Sequence, residues 1–193
     1  MVINAKRAAV LLLLAGLVIA GIFGIRYCTD YFYRLNYPRE YESYVLKYAG
    51  EFDVDPNMVF AIIKTESDFE PDATSKVGAR GLMQMMKDTF EWVQGKLQDS
   101  GTGFDDMYDP ESNIRYGAYL IAYLYQEFGQ YDTAVAAYHA GRTATAKWLA
   151  DPEYSEDGKT LDRIPISDTG HYVEKVMKCY QMYQKIYGTG KDG

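Results

Sequence analysis

The chain has 193 residues, 48% of them hydrophobic and 24% charged, which fits one domain with an appendage and excludes two separate enzyme domains or wholesale disorder. Twenty Lys and Arg stand against 27 Asp and Glu, a net charge of −7 with no basic cluster, so no nucleic-acid partner is expected. Two Cys and two His, in neither C-x-x-C nor H-x-x-x-H spacing, do not make a four-ligand zinc site without several carboxylates, and no metal or cofactor is expected.

Lys6 and Arg7 precede Ala8 to Ile25, a span free of charge and Pro. As a helix it would reach roughly 27 Å, a minimal crossing of a bilayer core. A cleaved signal segment is the competing reading, with Leu11 to Leu17 as its apolar part and Val18-Ile19-Ala20 as an imperfect cleavage site. Apolar character that continues through Ile22, Phe23 and Ile25 into Tyr27, Tyr31, Phe32, Tyr33 and Tyr37 favours a retained anchor with an interfacial aromatic belt. Either reading sends the rest of the chain out of the cytoplasm. Cys28 and Cys179 could meet an oxidising compartment there, but no bridge between them is expected.

From Pro38 onward the pattern is helical. Tyr37, Tyr41, Tyr44 and Tyr48 line up one helix face, expected to turn to the core. Asp55-Pro56 opens a helix to about Ser67, and Asp109-Pro110 opens a longer one ending near Gly129. Asp132 is expected to cap a short helix through Tyr138, closed by Gly141. Further helices are expected over about 143–150 and from about Asp168 to Tyr187, with a loop over 151–165. No segment alternates with period two beyond at most a small hairpin near 75–84, so the fold class is mainly α. Nineteen Tyr against 8 Phe suit a wet, partly aromatic groove, because the ring packs while the hydroxyl stays available.

In the helix after Pro56, Val59, Ile62 and Ile63 form an apolar stripe, and Glu66 falls on it. Lys64 and Asp68 already serve the solvent side. A carboxylate among apolar side chains loses hydration, which raises its pKa toward neutrality and makes it a candidate general acid. The bland alternative is a helix-end glutamate that turns out to solvent. Asp68 and Glu70, the nearest other acids, are expected to point elsewhere, since two positions turn a helix by about 200°.

Glu66-Ser67, the run Ala73-Thr74-Ser75-Lys76-Val77-Gly78-Ala79-Arg80-Gly81-Leu82-Met83-Gln84-Met85-Met86, Asp109-Pro110 with Asn113-Ile114 and Gly117, Ala137-Tyr138-His139-Ala140-Gly141, and Tyr172-Val173 together resemble the lytic transglycosylase family of the soluble (SLT) type in order and spacing. The resemblance covers about residues 41–187. It implies a lysozyme-like α domain whose cleft binds peptidoglycan glycan strands, and a division into a cytoplasmic start (1–7), anchor or signal (8–25), juxtamembrane linker (26–40), catalytic domain (41–187) and tail (188–193). Glu66 matches the family's catalytic glutamate, which serves as acid and then as base to close a 1,6-anhydro ring. Ser75 and Gln84 match cleft positions that hydrogen-bond substrate, Met86 a subsite lining, and Tyr138 a tyrosine that holds Glu66 or the substrate acetamido group. Tyr172 continues the match.

Two positions depart from the family pattern. His139 stands where the family has Asn, and it can still donate a hydrogen bond to a sugar or a backbone carbonyl; Asp168 stands where it has Glu, either reaching the cleft or capping the last helix. Lys87 replaces the family's proline at the start of the following helix. A hydrolysing muramidase and a non-catalytic peptidoglycan-binding module are the alternatives. With the anchor retained, the partners implied are glycan strands, the membrane through residues 8–25, and an unidentified envelope machine.

Overall fold

A computed structural model describes residues 5–189. The first four residues of the expected cytoplasmic start and the last four of the expected tail lie outside the described residues. The chain divides into two compact units, residues 1–38 and 39–193. The first holds a single helix, α1 (Ala5–Asn36), whose apolar side chains from Leu13 to Ile25 are exposed. Its stretch Leu13–Asn36 has a mean hydropathy of 1.5 and is long and apolar enough to cross a membrane. Residues 26–36 are therefore helical and not an extended linker. The helix stops short of Tyr37-Pro38 because the residue before a proline is driven out of the helical region.

The second unit is helical: α2 (Glu42–Phe52), α3 (Pro56–Glu66), α4 (Lys87–Leu97), a 3-10 turn (Phe104–Tyr108), α5 (Pro110–Phe128), α6 (Tyr131–Ala140), α7 (Arg142–Leu149) and α8 (Ser167–Tyr187). Asp55 caps α3 by accepting from the Asn57 amide at 2.8 Å, and Asp109 caps α5 by accepting from the Ser112 amide at 2.8 Å. Gly129, at φ 74°, ends α5 in the left-handed region. Three expectations need correction. The four tyrosines do not share a helix: Tyr41 has φ 56° and stands before α2, so only Tyr44 and Tyr48 lie on it. Asp132 does not cap α6, which starts one residue earlier because Tyr131 is fixed by stacking on Tyr125 at 4.2 Å and by the edge of Tyr180. In place of a hairpin near 75–84 there are two isolated bridges, both through Arg80, to Thr74 and Met85.

Helix α3 runs through the middle. Every residue from Asn57 to Ile63 is buried, enclosed by α2, α5 and α8. Its first turn is tied down on two sides: the Asn57 side-chain amide donates to the Gly188 carbonyl (3.0 Å), and the Tyr180 hydroxyl donates to the second Asp55 oxygen (2.8 Å). A helix clamped at its start and packed all round delivers its last residue, Glu66, to a set place.

The segment between α3 and α4 has little regular structure, and a buried side chain, Asn113, helps to hold it. Asn113 donates from Nδ2 to the carbonyls of Met107 (2.7 Å) and Arg80 (3.0 Å) and accepts from the Met83 amide (2.8 Å). Gly81 crosses over this residue at φ 73°, where an added Cβ would lie 2.0 Å from the Met107 carbonyl oxygen and 2.3 Å from Asn113 Nδ2. Gly81→Ala is expected to lower stability by about 2–4 kcal/mol and Asn113→Ala by about 3 kcal/mol, measured by urea unfolding. A loss under about 0.5 kcal/mol at either position would show that the segment is held elsewhere.

Candidate active site

Glu66 is the final residue of α3, half-buried, and Ser67 follows as the C-cap. The chain then leaves the helix abruptly, with Asp68 at φ 53° and Phe69 at φ 68°. The Ser67 hydroxyl donates to the Leu82 carbonyl at 2.8 Å and so stitches the helix end to the segment that Asn113 holds. Glu66 lines an open cleft of about 690 Å³ together with Ser75 and Gln84. The Ser75 Oγ accepts from the Ala79 amide (3.0 Å), leaving its hydroxyl hydrogen for a ligand. Gln84 commits its NH₂ to the carbonyls of Ala73 (3.1 Å) and Gly81 (2.9 Å), so only its amide oxygen faces outward chemistry.

Two tyrosines stand behind the carboxyl. The Tyr138 hydroxyl donates to the Met83 carbonyl at 2.7 Å and so braces the cleft wall, with no hydrogen bond to Glu66 in this structure. The Tyr172 hydroxyl, from α8, donates to Glu66 Oε1 at 2.6 Å. Burial pushes the Glu66 carboxyl up from 4.5 to about 7, against the opposing pull of the Tyr172 hydrogen bond and the Lys175 charge. Burial and the neighbouring Glu66 charge hold both phenols well above their ordinary value, which keeps them neutral donors.

The other expected residues are spread along the walls. Met86, 41% exposed, is the N-cap of α4. Tyr138 also lines a hollow of about 290 Å³ with Thr89 and Trp92. His139 stands in the last turn of α6 with its ring stacked on Tyr172, centroids 4.5 Å apart. Asp168 does not cap α8: it lies in the first turn, behind the N-cap Ile166, with its side chain 89% exposed and 3.9 Å from His139. Asp68 and Glu70 do line the cleft, contrary to the helical-wheel expectation, because the left-handed turn at 68–69 ends the helix to which the wheel applied. Asp68 is paired with Lys64, and its side chain is 72% exposed.

Sequence reasoning missed Lys175, whose Nζ donates to the Thr65 carbonyl at 3.3 Å. It lies three residues after Tyr172, one turn along the same helix face, a spacing that could have flagged it. Among the described residues, no group of three or more His, Cys, Asp or Glu is placed to hold a metal ion.

The raised pKa makes stability depend on pH. Below about pH 4.5 folded and unfolded chains both carry the Glu66 proton; between 4.5 and about 7 only the folded one does; above that the folded state holds a poorly hydrated charge. Stability from this group is therefore lost as pH rises to about 7. Glu66→Gln is expected to raise unfolding free energy by roughly 2–3 kcal/mol at pH 8 and by little at pH 4, read from denaturant titrations. An equal effect at both pH values would show that the carboxyl is well hydrated.

The sequence and fold are similar to those of known proteins. The family model "Transglycosylase SLT domain" matches residues 43–160. The chain is 31% identical over 156 residues to the soluble lytic murein transglycosylase of Salmonella typhimurium, covering 79% of this chain and 24% of that protein. It is 28% identical over 178 residues to membrane-bound lytic murein transglycosylase C of Actinobacillus pleuropneumoniae serotype 5b, covering 77% and 47% respectively. The structure of an inactive glutamate-to-glutamine mutant of the lytic transglycosylase Slt from Pseudomonas aeruginosa shares its fold, with TM-score 0.70 and 28% identity over 81% of this chain and 26% of that one. The chain thus spans about a quarter of the soluble relatives' length, and about half of the membrane-bound one. The mainly helical, lysozyme-like architecture agrees with expectation, and with more than half of its length matched the chain belongs to the transglycosylase SLT domain family.

Proposed function

We propose that the chain is a peptidoglycan lytic transglycosylase that cleaves the bond between N-acetylmuramic acid and N-acetylglucosamine and leaves a 1,6-anhydro end, with Glu66 as the single acid and base. The observation that carries this reading is a half-buried carboxyl on the wall of an open cleft, held by the Tyr172 hydroxyl and pushed by burial up to about 7. Near neutrality such a group is part protonated and part ionised, which suits both roles.

Protonated Glu66 gives its proton to the glycosidic oxygen, and the bond to the muramic acid C1 breaks. The neighbouring acetamido oxygen closes on C1 and shares the positive charge. Glu66, now ionised, takes the proton from O6 of the same sugar as O6 attacks C1 and the acetamido group leaves. Atoms balance without water. Tyr172 steadies the carboxylate between the two steps, while the Ser75 hydroxyl and the Gln84 amide oxygen offer hydrogen bonds to the sugars. The inactive glutamate-to-glutamine mutant of the Pseudomonas relative supports a glutamate-centred reaction.

Hydrolysis is the second reading, because Asp68 and Glu70 line the same cleft and could activate a water. The products decide, since an anhydro end is one water lighter than a reducing end. Mass analysis of muropeptides released by the purified protein is expected to give anhydro ends alone; reducing ends as the main product would establish the muramidase. Glu66→Gln is expected to slow release by about 10²–10⁴-fold. The value of kcat/KM should fall about tenfold per pH unit above about pH 7 as Glu66 loses its proton.

Location follows from the N-terminal helix. Helix α1 would retain the chain in the membrane with the catalytic unit on the extracytoplasmic side, and the membrane-bound relative supports this. With residues 26–36 helical, the tether is shorter than extended chain, which favours newly made strands near the membrane or a gap for an envelope-spanning machine. Membrane-fraction protein is expected to keep residues 1–25 by intact mass; loss of this segment would replace the anchor with a cleaved signal.

A further inference from the structure

We propose that His139 is a positioning residue for the reaction above: its ring holds the Tyr172 ring in the one place from which the Tyr172 hydroxyl reaches Glu66. The inference rests on Glu66 being the reacting carboxyl.

His139 is fastened to α8 at two points one helical turn apart. Its Nδ1 lies 3.1 Å from the hydroxyl of Thr169, a buried residue, and its ring stacks on Tyr172 with centroids 4.5 Å apart and planes inclined by 29°. The two attachments set both the position and the tilt of the imidazole. Tyr172 can rotate about two side-chain bonds, and only a narrow range of rotation leaves its oxygen 2.6 Å from Glu66 Oε1. A planar ring lying over one face of the phenol removes most of that freedom.

The consequence passes through the hydrogen bond. A phenol that donates steadily to the carboxylate favours the ionised form, and a loosened phenol favours it less. Removing the His139 ring should therefore raise the pH at which Glu66 loses its proton. The charged and titratable groups beside His139 are Asp168, 3.9 Å from Nε2, and Tyr172, both on α8. Glu66 of α3 lies beyond the Tyr172 ring, and Arg142 of α7 is turned away to Glu127 of α5. The test accordingly reads the Glu66 titration itself.

The experiment is a ¹³C NMR titration of the Glu66 side-chain carboxyl in the full-length protein, which needs no substrate. Tyr172→Phe is expected to move the midpoint up by roughly one pH unit and His139→Ala by about half of that, in the same direction. His139→Phe, which keeps a ring but loses the Thr169 bond, should stay close to the wild-type midpoint, whereas His139→Asn should behave like Ala. In the Tyr172→Phe background, His139→Ala should add nothing. An unchanged midpoint in His139→Ala, or an equal shift with Tyr172 already gone, would overturn the proposal. Should His139→Ala not fold, comparing His139→Phe with His139→Asn decides the same question: equal midpoints in the two would overturn it. Failure of the wild-type protein to release glycan would sink the proposed function and leave this titration result standing.

Discussion

The site is organised around a carboxyl kept partly out of water at the end of a helix buried along most of its length. A glutamate on an exposed helix end would ionise in the ordinary carboxylate range and have no proton to give at neutral pH. Here α3 is clamped at its first turn by Asn57 and Asp55 and packed along its length, so its last residue meets the cleft wall instead of solvent. The cost of holding a poorly hydrated charge falls on the folded state, which fits the pattern of sites that trade stability for reactivity.

The cleft opposite this carboxyl is built with almost no regular structure. Between Ser67 and Met86 the backbone turns through left-handed positions at Asp68, Phe69, Gly78, Gly81 and Gln84. Such a path has few ladder hydrogen bonds of its own, and side chains supply the rest: Asn113 from α5, Tyr138 from α6, Ser67 from the end of α3 and Gln84 from within. The helices thus serve as a frame from which an irregular substrate wall is suspended.

Three helices far apart in sequence meet at Glu66. Glu66 ends α3, Tyr172 lies on α8, and His139 stands in the last turn of α6 with its ring over Tyr172. This layering joins the carboxyl to a hydrogen-bond donor and the donor to an aromatic support. Lys175, one turn further along α8, adds a positive charge that favours the ionised form. Burial outweighs both the donor and that charge, which is why the group sits near neutrality.

Much of this was legible in the chain itself. Asp-Pro pairs mark the starts of α3 and α5 because an acceptor side chain followed by a residue with no amide hydrogen satisfies a helix N-terminus locally. The apolar stripe ending in Glu66 is likewise a matter of helical spacing. What spacing did not reach was anything set by a partner distant in sequence. Tyr138, which the resemblance set at Glu66 or at the substrate acetamido group, donates to Met83; Tyr172 holds Glu66 from 106 positions away; and Asp68 and Glu70 enter the cleft because the helix stops before them. Local hydrogen bonds and periodicity are properties of a few consecutive residues, so the sequence alone determined the main helices and the place of Glu66 at the end of an apolar helix stripe. The direction of each neighbouring side chain is decided by packing between segments, and only the tertiary structure showed which phenol supports the carboxyl.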